Sequence, residues 1–580
     1  MADVKMINLK IDGVDVSVPE GTTVLNAAAK IGIKIPTLCY LKDINEIGAC
    51  RVCVVEVKGA RSLVTSCVYP VTEGMEVFTN TEKVRKSRKT TIELLLSNHR
   101  KDCLSCPRNM NCELQRLAYD YDCDMYAFDG EKTPSKVDVT GYLVRDNSKC
   151  VLCRRCTATC AKVQSVGVIN PINRGFRTEI GCAFEMPLND TACVACGQCI
   201  NACPTGALHE VEEIDLVKKA INDPEKIVVV GPAPSVRAGL GEEFGYEMGT
   251  NVEGKMVSAL RMLGFDKIFD VNFTADLTII EEASELIERI QNGGALPMFT
   301  SCSPGWINFV EHYYPELIPN LSTCKSPQQM FGAIVKTYYA NKMNIDPNKL
   351  FVVSVMPCTA KKMEKKRPDQ NAAGLPDIDA VLTTRELAKM IKQNGIMFNN
   401  LPDGKYDDPL GVFTGAGVIF GATGGVMEAA LRTAVKYITG KESDTLDFVD
   451  VRGTEGIKKA TYKVGSLAVN VEVASGLANA REVCESVLNK TCDAQFIEVM
   501  CCPGGCVNGG GQPIMDAFVR NTEDYRAKRA SALYSEDKNS AMRKSHDNPV
   551  VKKLYEEFLD KPGSKVAHHV LHTSYINKKK

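Results

Sequence analysis

The chain has 580 residues, 44% hydrophobic and 24% charged, which fits several globular domains and excludes a disordered or collagen-like chain. With 70 Lys+Arg against 71 Asp+Glu, it has no basic excess and no general electrostatic footprint for nucleic acid. The departure is cysteine: there are 25, of which 17 lie in residues 1–203.

The N-terminal MADVKMINLKIDGVD lacks the apolar core of a signal peptide. No segment reads as a membrane span; the long uncharged stretch Pro409–Met427 holds six glycines. The expectation is a cytoplasmic protein without a membrane partner, whose cysteines bind metal or do chemistry.

In chain order, residues 1–80 read as a small β-rich domain. Ile7, Leu9 and Ile11 alternate on one strand, and Val14, Val16 and Val18 on the next, with Asp12-Gly13 as the turn. Val24–Ile31 reads as a helix, and Val52–Val57 and Val77–Thr79 as strands. Residues 81–140 begin with a helix, Lys83–Asn98, and turn Cys-rich; residues 141–209 hold a duplicated Cys array. From 210 to 580 strands and helices alternate, as at Ile227–Val230, Leu277–Ile290, Leu350–Val355 and Thr384–Lys392, which argues α/β. The tail from Tyr525 reads as polar and helical, with Lys578-Lys579-Lys580 simply solvated.

Four cysteine arrays follow from spacing. Cys39-x10-Cys50-x2-Cys53-x13-Cys67 departs from plant-type ferredoxin spacing, but its β-rich setting favours one [2Fe–2S] cluster over zinc. His99-x3-Cys103-x2-Cys106-x5-Cys112 offers three thiols and an imidazole for a [4Fe–4S] cluster; the competing reading is that His99 merely ends a helix. The runs Cys150-x2-Cys153-x2-Cys156-x3-Cys160 and Cys193-x2-Cys196-x2-Cys199-x3-Cys203 have the bacterial two-cluster pattern, in which each fourth cysteine serves the other cluster. Cys150, Cys153, Cys156 and Cys203 therefore form one [4Fe–4S] set, and Cys193, Cys196, Cys199 and Cys160 the other. Cys123 and Cys182 read as structural. Clusters in series move electrons, so redox chemistry is expected downstream.

Three Cys-bearing loops stand out there, each after a probable strand (Leu296–Phe299, Phe351–Val355, Phe496–Val499): Thr300-Ser301-Cys302-Ser303-Pro304-Gly305-Trp306, Met356-Pro357-Cys358-Thr359-Ala360-Lys361-Lys362-Met363-Glu364, and Glu498-Val499-Met500-Cys501-Cys502-Pro503-Gly504-Gly505-Cys506. Loops at strand ends converge on one crevice in α/β folds. Residues alone point to a buried thiolate-held metal site.

These loops resemble the three signature motifs of the [FeFe]-hydrogenases, and the resemblance covers the whole chain, accessory arrays included. It implies a β-grasp [2Fe–2S] domain, a His/Cys3 domain, a two-cluster ferredoxin domain and a two-lobed α/β domain holding the H-cluster, a [4Fe–4S] cube linked to a two-iron unit with CO, cyanide and an aza-dithiolate. The implied reaction is reversible oxidation of H2. By position, Cys358, Cys502 and Cys506 match cube ligands, and Cys506 the bridge to the two-iron unit. Cys302 matches the proton-passing thiol and Lys361 the donor to a cyanide. Met356 and Met500 pack the two-iron unit, and Pro234, Ser235, Gln328, Phe420 and Gly421 line the pocket. Ser303 stands where the family has the fourth cube ligand. A serine alkoxide, a displaced Cys302, Cys324 or Cys501 are the alternatives, with Cys302 favoured as proton donor.

Periodicity gives the helix around Glu282 an apolar stripe through Ile279, Ala283, Leu286 and Ile290, and the plain reading of Glu282, Glu285 and Arg289 is a solvated face with a Glu285–Arg289 pair. The resemblance instead aligns them, with Ser322, to the family's proton pathway. Gly415-x-Gly417-x3-Gly421 is no proper dinucleotide fingerprint. His209, His312, His546, His568, His569 and His572 read as surface or packing residues.

The accessory region also resembles the N-terminal part of the large iron–sulfur subunit of respiratory complex I. The serine-bearing first loop resembles catalytic subunits of multimeric NAD(P)-linked, electron-bifurcating hydrogenases. The implied partners are flavin- and Fe–S-bearing NAD(P)-reactive subunits, ferredoxin and maturation proteins. The alternatives are a stand-alone ferredoxin hydrogenase and an H2-sensing or electron-transfer subunit with an impaired site.

Overall fold

The computed structural model describes residues 5–443, 445–464 and 467–579. Met6–Ile11 buries Ile7, Leu9 and Ile11 and pairs with Val14–Pro19 across Asp12-Gly13, where both residues take positive φ. The sheet order is Val14–Pro19, Met6–Ile11, Glu76–Phe78, Val54–Val57, Val64–Thr65. The helix Val24–Lys30, capped by the Thr23 hydroxyl, packs on its buried face. The strand expected from Val52 starts at Val54, because Val52 turns away to pack with Leu38 and Ile92.

Thr81 caps the helix Glu82–Ser97, and His99 lies just past its end. The duplicated arrays repeat in the backbone as well as in sequence. Leu152 and Arg154 in the first and Ala195 and Gly197 in the second all take positive φ, and short helices Arg155–Ala158 and Gln198–Ala202 follow.

Two four-stranded sheets build the remainder. One runs Lys267–Ile268, Ile227–Pro232, Leu350–Met356, Ala380–Thr383, all parallel; the other runs Met298–Phe299, Phe496–Met500, Leu467–Ser475, Ile457–Val464. The strand expected over Leu296–Phe299 has only its last two residues, since Pro297 has no N–H for a ladder.

Between the two sheets lies the helix Val271–Asn292, longer at both ends than Leu277–Ile290. It carries two apolar stripes, not one: Val271, Phe273, Leu277 and Ile280 enter one core, and Ala275, Ile279 and Leu286 the other. The polar residues that hide its start from periodicity, Asn272, Thr274, Asp276 and Thr278, are all fully buried.

The tail departs most from expectation. The helix Tyr525–Asn539 buries Arg529, Leu533 and Asp537; Arg529 pairs with Glu242 at 2.6 Å, and Asp537 with Arg432 at 2.8 Å. Lys578 is not merely solvated but pairs with the buried Glu311 at 2.6 Å, and Lys579 pairs with Glu316; Lys580 lies outside the described residues. Paired charges can be buried, so polar composition is a poor guide to exposure here.

Candidate cluster-binding and catalytic sites

All 25 cysteines are free of disulfides. Cys39, Cys50, Cys53 and Cys67 form one group: hydrogen bonding with Cys50 holds the Cys39 thiol down at about 6, and with Cys67 holds Cys53 at about 7. The same bonds push the partner thiols Cys50 and Cys67 up, so one thiolate of each pair is favoured before any metal arrives. His99 is buried beside Cys103, Cys106 and Cys112 in sequence, and burial, with Lys149, pushes its pKa down to about 4. Its Nδ1 has no partner, so a neutral nitrogen with a lone pair stands ready.

The two ferredoxin-like arrays cross over in space. Cys203 acts electrostatically on Cys150, Cys153 and Cys156, while Cys160 is in the field of Cys196 and acts on Cys193 and Cys199. Single side chains join neighbouring arrays. Asn45 Nδ2 donates to the carbonyls of both Cys39 (2.7 Å) and Cys153 (3.0 Å). Arg108 donates to the Cys203 carbonyl at 3.0 Å, tying in the His99 array. On the other side, Thr359 donates to Ala195 O at 2.7 Å and Gln198 to Asn508 O at 2.8 Å. A Cβ on Gly510 would stand 2.4 Å from the Cys196 carbonyl, so glycine lets the third Cys loop approach this array.

One apolar cavity lies at the carboxyl ends of both sheets. Pro234, Ser235, Cys302, Ser303, Gln328, Met356, Cys358, Lys361, Phe420, Gly421, Met500, Cys501, Cys502 and Cys506 line it, with Cys196 at its edge. Cys324 does not. Lys361 Nζ donates to Cys302 O (3.2 Å) and to Glu364 (3.0 Å), whose carboxylate also accepts from Ser326 (2.9 Å) and Gln328 (3.1 Å). Five thiols, a cation and an unpartnered buried Ser235 hydroxyl make a donor set that fits a bulky iron–sulfur cofactor. Gly415, Gly417 and Gly421 are packing residues: a Cβ on each would meet Asp537, Asn272 and Leu533 at 2.1, 2.6 and 2.5 Å.

From this cavity polar groups lead outward. Glu282 is fully buried, not on a solvated face. Its Oε1 accepts from the Ser301 N–H (3.2 Å) and hydroxyl (3.3 Å), its Oε2 has no hydrogen-bond partner, and burial pushes its pKa up to about 7. Ser322 donates to Glu285 at 3.3 Å, and Glu285 pairs with Arg289 at 2.6 Å. The i,i+4 pair exists, but largely buried. Burial pushes the Cys302 thiol well up, keeping it protonated.

Sequence reading missed a branch. The Thr323 hydroxyl donates to Glu285 at 3.1 Å and lies 2.7 Å from His572 Nδ1; His572 Nε2 faces Glu281 at 3.2 Å, and Tyr555 donates to Glu281 as well. His572 is therefore grouped with carboxylates, not a surface or packing residue. Tyr575 donates to Ser322 O at 2.6 Å, so the tail straps this segment. No sequence spacing announces such contacts, which span about 250 residues.

Comparison with known proteins bears on this arrangement. Residues 226–510 match "Iron only hydrogenase large subunit, C-terminal domain" and 523–578 "Iron hydrogenase small subunit". The subunit HndD of the NADP-reducing hydrogenase of Solidesulfovibrio fructosivorans is 50% identical, over 99% of this chain and 100% of its own. The chain belongs to the iron-only hydrogenases. Iron hydrogenase 1 of Clostridium pasteurianum is 45% identical over 98% of this chain and 100% of its own. A solved structure of a variant of [FeFe]-hydrogenase HydA1 from Chlamydomonas reinhardtii covers 64% of this chain and all of its own, at 39% identity and TM-score 0.57. This hydrogenase has accessory iron–sulfur regions too: residues 4–82 match a 2Fe-2S cluster-binding domain, 88–125 the NADH-ubiquinone oxidoreductase-G iron-sulfur binding region, and 186–209 a 4Fe-4S binding domain. It is an oxidoreductase acting on hydrogen, with an H-cluster and [2Fe–2S] and [4Fe–4S] clusters as its cofactor set. The tail that reads as a polar appendage falls in the small-subunit match. No helix among the described residues is long and apolar enough to cross a membrane.

Proposed function

We propose that this hydrogenase is the catalytic subunit of a multimeric cytoplasmic enzyme, exchanging electrons between H2 and NAD(P) through flavin-bearing partner subunits, with ferredoxin as a second acceptor in a bifurcating assembly. Its 50% identity to an NADP-reducing hydrogenase subunit, over nearly the full length of both, supports this reading most.

In the proposed assignment, Cys39, Cys50, Cys53 and Cys67 hold the [2Fe–2S] cluster, and His99 with Cys103, Cys106 and Cys112 a [4Fe–4S] cluster. The crossed sets Cys150/Cys153/Cys156/Cys203 and Cys160/Cys193/Cys196/Cys199 hold two more. Cys358, Cys502 and Cys506 hold the cube of the H-cluster, which supplies the metal centre where H2 is cleaved and formed. Maturation proteins would supply its two-iron unit. The chain's own residues handle protons and charge. The Cys302 thiol, kept protonated by burial, gives and takes the proton at the cavity. Glu282, whose pKa near 7 suits a relay at neutral pH, takes it on. Ser322 and Glu285 carry it outward, and Arg289, always charged, holds the Glu285 carboxylate in place at that end of the route. Lys361 supplies a buried cation, and Met356, Met500, Pro234, Ser235, Gln328, Phe420 and Gly421 shape the pocket and keep water out.

The test is anaerobic H2 oxidation by the co-matured chain, alone and after affinity capture with its partners. The reading expects NAD(P)H only from the captured, flavin-containing complex. Full activity of the isolated chain with ferredoxin, and no captured flavoprotein, would favour the stand-alone ferredoxin hydrogenase. Absence of metal-bound CO and cyanide infrared bands would favour a sensor or electron-transfer role.

A further inference from the structure

A cube has four irons and needs four outer ligands. The assignment above gives it three thiols: Cys358, Cys502 and Cys506. We propose that Cys501, not Ser303, supplies the fourth; this rests on the cube assignment and specifies it.

The geometry separates the candidates. Cys324 lies outside the cavity, its Sγ 3.8 Å from Glu285. Cys302 is oriented to the proton route by its own carbonyl on Lys361 and by the neighbouring Ser301–Glu282 bonds. The Ser303 hydroxyl oxygen already accepts the Cys501 N–H at 3.2 Å. It would also have to ionise to an alkoxide, a harder and poorer partner for iron in a sulfide cube than a thiolate. Cys501 lines the cavity, is 5% exposed, and its thiol bonds with that of Cys502.

Two further observations concern Cys501 alone. Its thiol also touches Cys196, but the array of Cys196 already has four thiols, whereas the cube has three. And Gly305, the second residue of the helix Pro304–Tyr313, has no side chain where a Cβ would stand 2.6 Å from Cys501 Sγ. Glycine is unfavourable in a helix relative to alanine, so this position holds space for the thiol. On ligation the Cys501 S–H proton leaves to solvent as the S–Fe bond forms, and no iron changes oxidation state.

The full chain and its variants Ser303→Ala, Cys501→Ala and Cys501→Ala/Ser303→Cys are reconstituted anaerobically with 57Fe and sulfide, without maturation proteins. Iron content, Mössbauer and EPR spectra are recorded. Expected is full cube iron in Ser303→Ala, loss of one cube's iron in Cys501→Ala with accessory signals intact, and its recovery in the double variant. Loss in Ser303→Ala with retention in Cys501→Ala overturns the proposal, as does retention in both or loss confined to an accessory cluster. Wild-type chain carrying only accessory-cluster iron would instead refute the cube assignment itself.

Discussion

Glu282→Gln should make the enzyme slower and, above neutral pH, more stable. Gln keeps an oxygen to accept from Ser301 but cannot pass a proton on, so turnover should fall by roughly 10²–10⁴-fold, the scale of a lost proton-transfer group. The stability term has a definite sign. Below pH 4.5 the carboxyl is neutral in folded and unfolded chains alike. Between 4.5 and about 7 the unfolded chain ionises first, and above 7 the folded chain must hold a buried, half-satisfied charge. That costs wild type about 3 kcal/mol across the window, a cost the Gln variant avoids. Thermal unfolding of the catalytic domain at pH 5 and pH 8.5, with H2/D2O exchange for turnover, tests both effects. The variant's midpoint should lie near that of wild type at pH 5 and several degrees above it at pH 8.5. Turnover within twofold of wild type, or a midpoint advantage that grows as pH falls, would refute the reasoning.

Cys302→Ala should retain wild-type iron and metal-bound CO and cyanide infrared bands while losing at least 10²-fold in exchange activity. Lys361→Met strips the nearly buried Glu364 of its cation and should destabilise by about 3 kcal/mol in denaturant titration; Lys361→Met/Glu364→Gln should recover most of that stability but not turnover. Glu113→Gln leaves the buried guanidinium of Arg155, and that of Arg520, without their shared carboxylate. Its expected cost is about 3–5 kcal/mol, seen as easier proteolysis where residues 113, 155 and 520 meet.

What the sequence made legible were features written in short spacings: the Cys arrays, the hairpin at Asp12-Gly13 and the three loops after strands. The duplication repeats down to the φ angles of Leu152/Arg154 and Ala195/Gly197. Features decided by partners far along the chain were not legible. Asn45 joins two arrays, Thr323 and His572 extend the polar route, and Arg529 and Asp537 are buried because Glu242 and Arg432 come to meet them. The long helix Val271–Asn292 was half legible, because serving two cores at once blurs a single-stripe period.

The bonds of Asn45 and Arg108 give the array of Cys150, Cys153, Cys156 and Cys203 neighbours on two sides, the Cys39 group and the His99 group, besides the array that leads to the cavity. On the proposed cluster assignment, drawn as a graph, it is the vertex where both outer branches meet, and its removal disconnects both of them from the centre. Damage to either outer cluster leaves traffic to the other. Damage to the junction strands an intact catalytic site with no way out for its electrons.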